Sequence, residues 1–221
     1  MGAGGYTLVP ESESLDRVFL SFVCKPKPHI CLLPTACGDR SATIEGFHTK
    51  FGEYGAKTSH ISLFMPEIGN IGEHLLKADG IYITGGNTKS MLALWREWSV
   101  DSALVKAYKA GIPIAGISAG AICFYEQGFT DSFASGYQKI VGFGILKGSF
   151  CPHYSSGTER ALLYENSIKS GKLKAGLGVG DGVALIYQDE ILTQIVKSRD
   201  SALCEFVSVD GKTEAYIEKK A

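Results

Sequence analysis

Short apolar runs alternate with amphipathic stretches over the first half of the chain. The apolar runs have the length and composition of buried strands. They are residues 29–34, 60–64, 80–84 and 112–117. The stretches between them place apolar residues at helical spacing, and they are residues 42–54, 72–77, 89–98 and 101–110. Strands that alternate with helices form parallel sheets. The pattern therefore predicts an α/β fold: a doubly wound, mostly parallel sheet with helices on both faces.

The second half of the chain has a different pattern. Residues 126–150 contain five glycines and little periodicity, which predicts a loose region. A helix is predicted over 158–170, and residues 15–24 fit either a helix or a strand. Short strands follow at residues 176–179, 183–187, 191–196, 204–209 and 215–218. They predict an antiparallel extension of the same sheet. Because no repeat or linker divides the chain, we predict one α/β domain over 1–221.

Composition and charge exclude several functional classes. With 45% hydrophobic residues, a chain of 221 residues can bury a full core. A net charge of −1 and a pI near 6.5 predict no nucleic-acid partner and no acidic membrane surface. No apolar run reaches about 18 residues, so no membrane span is expected. We see no signal peptide, and the six scattered cysteines favour reduced thiols and a cytoplasmic protein. The sequence also lacks a metal-ligand motif, so we expect no metal and no cofactor.

One strand leads into a sequence suited to a nucleophile. The apolar run 112–117 is followed by a turn with the sequence Gly116-Ile-Ser-Ala-Gly120 and then by residues compatible with a helix. Glycines two residues before and after a serine allow a sharp turn that exposes the hydroxyl at the carboxyl end of the sheet. The helix that follows aims its first N–H groups at the same place. The pattern favours Ser118 as a nucleophile, although a plain glycine-rich turn has the same sequence signature.

A serine nucleophile needs a base, and the base needs an orienting carboxylate. His153 is the only histidine after the serine turn, and it ends an apolar segment. Asp181 and Asp131 are the two candidate carboxylates, and both also suit ordinary turns. An oxyanion would be bound by the N–H of Ala119 together with an N–H from the turn that ends the neighbouring strand. The two residues of that turn are Gly86 and Asn87.

Three separated motifs give the chain a family resemblance. They are Thr84-Gly-Gly-Asn87, Gly116-Ile-Ser-Ala-Gly120 and Pro152-His-Tyr154, with the serine and the histidine 35 residues apart. In this order and spacing, over roughly residues 29–187, the chain resembles peptidase family S51, which contains the aspartyl dipeptidases (peptidase E) and cyanophycinase. The resemblance implies the class I glutamine amidotransferase-like fold, with a serine in place of the amidotransferase cysteine.

The resemblance also implies roles for individual residues. Ser118 becomes the nucleophile and His153 the base, and the Gly-Gly-Asn turn helps to form the oxyanion hole. The aspartyl dipeptidases have a glutamate where this chain has Asp181, which is one methylene shorter. We therefore rank Asp181 first and Asp131 second as the acid that orients the histidine.

The substrate expected from the resemblance is a short peptide, with a dipeptide bearing an N-terminal aspartate as the specific case. Arg160 falls near the family's basic residue, so it is assigned to substrate binding, and Asp131 is included there as well. A solvated helix charge is the other interpretation of Arg160. Two functional alternatives stay open: a binding or sensing protein without catalysis, and an ester or other acyl hydrolase on the same fold.

Overall fold

The computed structural model describes residues 1–7 and 12–215, and it consists of alternating strands and helices followed by an antiparallel region. The helices are α1 (Glu13–Val23), α2 (Ser41–Glu53), α3 (Ile71–Leu76), α4 (Thr88–Glu97), α5 (Val100–Lys109), α6 (Ala119–Ile122) and α7 (Glu159–Lys169). The strands are β1 (His29–Leu33), β2 (Lys57–His60), β3 (Gly80–Ile83), β4 (Ile114–Gly116), β5 (Tyr125–Phe133), β6 (Gly136–Val141), β7 (Leu146–Pro152), β8 (Gly176–Val179), β9 (Val183–Gln188), β10 (Ile191–Lys197), β11 (Cys204–Ser208) and β12 (Gly211–Glu214).

The first four strands form a parallel sheet in the order β2-β1-β3-β4. Successive side chains of a strand point to opposite faces. Ile30 and Leu32 of β1 therefore pack with α1 and α2, whereas Cys31 and Leu33 pack with α3, α4 and α5. The predicted doubly wound arrangement, with helices on both faces, is confirmed. Because the strands are parallel, the loops after β3 and β4 emerge at the same edge of the sheet.

Residues 126–150 are not the loose region that the sequence predicts. They form most of β5, β6 and β7, which belong to a second sheet in the order β12-β11-β8-β7-β5-β6. The glycines mark close packing and turns rather than loose chain. A Cβ on Gly128 would lie 2.2 Å from the Ile122 side chain, and Gly136 begins β6 with φ of 93°. The prediction of a loose region, which rested on the number of glycines, is therefore wrong.

The antiparallel strands near the C-terminus extend this second sheet rather than the first. β11 pairs with β8 and β12, while β9 and β10 form a separate hairpin. β7 lies parallel between β5 and β8, with Pro152 opposite Val179. A strand is also predicted over 215–218. Residue 215 is not part of a strand, and residues 216–218 lie outside the described residues. Across the described parts of the chain, no helix combines the length and apolar character that a bilayer crossing requires.

The second strand lies earlier than predicted. β2 covers Lys57–His60, whereas the apolar run 60–64 is mostly a loop. An edge strand is partly exposed, so it tolerates polar residues. The loop is fixed by Asp39, whose Oδ2 accepts hydrogen bonds from Ser62 Oγ and from the Leu63 and Phe64 N–H groups. Residues 15–24 resolve into α1, and the other predicted helices agree with the structure to within a few residues.

Candidate active site

The serine predicted as a nucleophile lies in a sharp turn between β4 and α6. Ser118 has φ of 50° and ψ of −106°, a backbone conformation that costs roughly 1–3 kcal/mol for a residue with a side chain. The flanking glycines permit the turn. A Cβ on Gly116 would lie 2.0 Å from the Gly120 carbonyl oxygen, and one on Gly120 would lie 2.6 Å from Ile83. A Cβ on Gly85, just after β3, would lie 3.3 Å from the Ser118 Cβ, so the two loops are in contact.

A chain of hydrogen bonds joins Ser118 to His153 and Asp181. Ser118 Oγ lies 2.9 Å from His153 Nε2, and His153 Nδ1 lies 2.8 Å from Asp181 Oδ1. The hydrogen bond from His153 lowers the pKa of Asp181 below its usual value, against the opposing effect of burial. An ionised carboxylate only accepts hydrogen bonds. The Nδ1 atom therefore carries the imidazole proton, and Nε2 is left to accept from the serine hydroxyl.

Parallel strands bring His153 and Asp181 together. His153 follows β7 directly, and Asp181 follows β8 after one glycine. The two strands pair up to Pro152 and Val179, so the residues beyond them emerge side by side at one edge of the sheet. His153 has φ of 53°, a second strained conformation at the site. Strand register therefore explains how two residues distant in sequence meet.

Asp131 does not bind the histidine. Its Oδ2 lies 2.8 Å from Arg160 Nη2. The same guanidinium donates from Nη1 to the Pro152 carbonyl at 3.2 Å and lies 4.8 Å from the centroid of the Tyr137 ring. The Arg160 side chain is only 11% exposed, whereas that of Asp131 is 58% exposed. Arg160 is thus not a solvated helix charge, and the two predicted substrate-binding residues form one ion pair beside the strand that carries His153.

The two residues of the turn after β3 that were predicted to bind an oxyanion differ in whether their N–H groups are already used. Asn87 donates its N–H to the Ala36 carbonyl at 2.7 Å, and its side chain accepts from the Ser90 N–H at the start of α4. The N–H groups of Gly86 and Ala119 donate to no acceptor in residues 1–7 and 12–215. Of the two predicted partners for the Ala119 N–H, the geometry therefore favours Gly86.

Sequence reasoning did not identify the aromatic part of this site. Tyr137, which stacks on Arg160, lies in the stretch predicted to be loose, so nothing in the pattern pointed to it. Tyr154 was noted only as part of the third motif. Its side chain is buried, although it directly follows His153 in the chain. Among the described residues, no three His, Cys, Asp or Glu side chains are grouped in a way that could hold a metal ion.

Comparison with known proteins gives one family and one related sequence. The family model for peptidase family S51 matches residues 1–195. The uncharacterized peptidase YgaJ of Bacillus subtilis (strain 168) is 41% identical over 202 residues, which cover 91% of this chain and 87% of that protein.

Solved structures show the same fold at low sequence identity. The crystal structure of a peptidase from an acI-B1 Actinobacterium superimposes with a TM-score of 0.71 at 16% identity, covering 99% of this chain and 93% of that one. A candidate peptidase E from Listeria monocytogenes EGD-e gives a TM-score of 0.59 at 18% identity, covering 87% and 93%. Both likenesses show that this α/β fold occurs in peptidase structures.

Proposed function

From the premise that the chain belongs to peptidase family S51, we propose that it is a serine peptidase that hydrolyses short peptides through an acyl-enzyme. The observation that carries the proposal is the unbroken chain of hydrogen bonds from Ser118 through His153 to Asp181. A serine in a strained strand-to-helix turn, bound to an imidazole that a carboxylate orients, is the arrangement that nucleophilic acyl transfer requires.

The first half of the reaction forms the acyl-enzyme. Ser118 Oγ attacks the scissile carbonyl carbon while His153 Nε2 takes the hydroxyl proton. Asp181 keeps the imidazole in the Nδ1–H tautomer and stabilises the imidazolium that forms. The carbonyl oxygen becomes an oxyanion, which the N–H groups of Gly86 and Ala119 are free to bind. When the C–N bond breaks, His153 Nε2–H gives its proton to the departing amine.

The second half returns the enzyme to its starting state. A water molecule takes the place of the released amine, and His153 Nε2 accepts one of its protons as the oxygen attacks the ester carbon. The second tetrahedral intermediate has the same oxyanion and uses the same N–H donors. It collapses to a carboxylic acid, and the proton on His153 returns to Ser118 Oγ. The protein groups that accept and donate protons in these steps, Ser118 and His153, both belong to the chain of hydrogen bonds described above.

We propose dipeptides with an N-terminal aspartate as the specific substrates. Arg160 is the cation that supports this choice, because its guanidinium binds the carbonyl of Pro152, the residue before His153. The carboxylate of a substrate would exchange with that of Asp131, which is the more exposed partner of the ion pair. Asp131 would then be available for the α-ammonium group of the same substrate.

Hydrolysis of a matched dipeptide panel tests both parts of the proposal. The panel pairs Asp-Leu with Asn-Leu, Glu-Leu and Lys-Leu, and each is assayed with the wild-type protein and with Ser118→Ala. We expect Asp-Leu to be cleaved at least about tenfold faster than Asn-Leu, and we expect Ser118→Ala to cleave neither. Equal rates for all four peptides would keep the serine mechanism and remove the aspartate preference.

A fluorophosphonate probe and an acetyl ester separate the remaining alternatives. Labelling of Ser118 together with hydrolysis of the ester, but of no peptide, would identify an acyl hydrolase instead. A folded protein in which Ser118 is not labelled and no substrate is cleaved would contradict the enzyme proposal and leave the binding role. The Ser118→Ala variant is the control for labelling at other residues.

A further inference from the structure

The residue after His153 is a tyrosine whose side chain takes no part in the proposed mechanism. Tyr154 is 1% exposed, although His153 itself is exposed. Its ring lies against Gly178 of β8, where a Cβ would come within 2.6 Å of the ring carbons. Its N–H donates to the Val179 carbonyl at 3.2 Å. Tyr154 is therefore fixed against the same strand that leads to Asp181.

Charged side chains from three other elements surround the Tyr154 hydroxyl. The oxygen lies 2.7 Å from Glu165 Oε1 on α7 and 2.7 Å from Glu205 Oε2 on β11. Lys212 Nζ on β12 lies 3.1 Å from Glu165 and 3.4 Å from Glu205. The two glutamate side chains are only 13% and 19% exposed. We refer to Tyr154, Glu165, Glu205 and Lys212 as the Tyr154 cluster.

The cluster needs the phenol proton. Two largely buried carboxylates share one ammonium group, so the hydroxyl supplies the additional hydrogen bond that their burial requires. Burial, followed by the two adjacent carboxylates, raises the pKa of Tyr154 well above its usual value, so the hydroxyl stays protonated. Hydrogen bonds to charged groups are short and directional. They therefore restrain the ring more tightly than apolar packing alone.

His153 needs such a restraint because its backbone is strained. Its φ of 53° costs roughly 1–3 kcal/mol and persists only where the neighbouring residues hold the chain. On the preceding side, Pro152 is paired with Val179 in the sheet. On the following side the restraint is Tyr154. We propose that the Tyr154 cluster positions His153, holding its imidazole where Nε2 meets Ser118 Oγ. This proposal rests on the proposed function of His153 as the base.

Tyr154→Phe tests the proposal, because it removes the hydroxyl and keeps the ring. We expect kcat to fall about 10- to 100-fold with KM changed by no more than about twofold, because the base is misplaced while the substrate-binding groups are untouched. The rate of fluorophosphonate labelling at Ser118 should fall by a similar factor. Glu205→Gln keeps a hydrogen-bond partner for the hydroxyl and should show a smaller loss, about two- to fivefold.

Tyr164→Phe is the matched control. Tyr164 is also fully buried, and its hydroxyl lies 2.7 Å from Ser149 Oγ, so this variant also loses one buried hydrogen bond. We expect a similar decrease in melting temperature, with kcat and the labelling rate within about twofold of wild type. Equal losses of activity in the two tyrosine variants would mean that the hydroxyl of Tyr154 only stabilises the fold.

Two readouts do not depend on peptide cleavage. One is the labelling rate at Ser118, and the other is the imidazole Cε1–H resonance of His153 in NMR spectra, assigned with His153→Gln. If the wild-type protein is labelled but cleaves no peptide, the proposed peptidase function fails while both readouts still test positioning. We expect Tyr154→Phe to move or broaden the His153 resonance. An unmoved resonance with an unchanged labelling rate would overturn the proposal.

Discussion

The histidines of this protein occupy two contrasting environments. At the carboxyl end of β7, His153 is bound by a carboxylate on one ring nitrogen and by a serine hydroxyl on the other. At the outer edge of the parallel sheet, the imidazoles around β2 are bound by hydroxyl groups and by one another. The histidines of this second group are His29, His48, His60 and His74.

The edge histidines lack the partner that makes His153 suited to catalysis. His48 Nδ1 lies 2.7 Å from Thr58 Oγ1, and His48 Nε2 lies 3.0 Å from His60 Nδ1. In residues 1–7 and 12–215, no carboxylate lies within ion-pairing distance of these four imidazoles. Burial, and then the proximity of His60, lower the pKa of His48. This environment favours the neutral ring, whereas a general base must hold a proton during the reaction.

The comparison shows that the partners of a histidine, more than its presence, fix its chemistry. Both groups contain an imidazole within hydrogen-bond distance of a hydroxyl, as in His29 Nε2 and Ser59 Oγ at 2.8 Å. Only at His153 does a carboxylate set the tautomer, with the hydroxyl placed on a strained turn beside unused N–H groups. The same pair of residue types at the edge strand lacks both features. We therefore expect the two groups to respond very differently to substitution.

The largest expected difference is between His153→Gln and His48→Gln. Loss of the base should reduce kcat by about 10⁵- to 10⁶-fold, as expected when a member of a catalytic triad is removed. Glutamine at His48 can still bond to Thr58, and the site is remote from Ser118 in the sheet order, so kcat should stay within about twofold. The measurement is steady-state hydrolysis of the best dipeptide. A His48 variant as inactive as the His153 variant would remove the distinction drawn here.

The next largest effect is expected from Asp181→Asn, about 10³- to 10⁴-fold in kcat. The amide no longer selects the Nδ1–H tautomer, so Nε2 no longer accepts from Ser118. Asp79→Asn is the matched control, because a hydrogen bond from the His29 N–H and an ion pair with Lys25 lower the pKa of Asp79 as well. We expect that control to retain wild-type kcat. If Asp181→Asn also kept it, the carboxylate would have no role in orienting the base.

The sequence indicates the candidate base more directly than it indicates the carboxylate beside it. His153 is the only histidine beyond the serine turn, so its position in the chain makes it the candidate. The residues alone leave both Asp131 and Asp181 open, because the choice depends on which strands pair, and only the family resemblance ranks Asp181 first. The structure places β7 beside β8, which brings Asp181 to His153, and it draws Asp131 to Arg160 instead. Strand pairing between distant segments is not encoded in any local pattern.

The same limit explains which parts of the fold were mispredicted. Buried parallel strands such as β1 and β3 are apolar on both faces, so their sequences alone identified them. The polar edge strand β2 and the glycine-containing strands β5 to β7 carry no such signal. Their hydrogen bonds come from neighbours distant in the chain. The Tyr154 cluster is hidden for the same reason, because its members come from β11, β12, α7 and the segment after β7.

The smallest expected effect is a pH-dependent difference in stability at the edge strand. The folded-state pKa of His48 lies below its ordinary value, so the unfolded chain binds a proton more readily. Stability should therefore fall as the pH drops through about 6.5. Because the ring is partly exposed, we expect the free energy of unfolding to fall by less than about 1 kcal/mol between pH 8 and pH 5, which lowers the melting temperature by less than about 2–4 °C. His48→Gln should remove this part of the acid sensitivity, whereas Lys57→Gln, on the same exposed strand, should retain it. If the melting temperatures of all three proteins fall equally between pH 8 and pH 5, His48 does not contribute to the acid sensitivity.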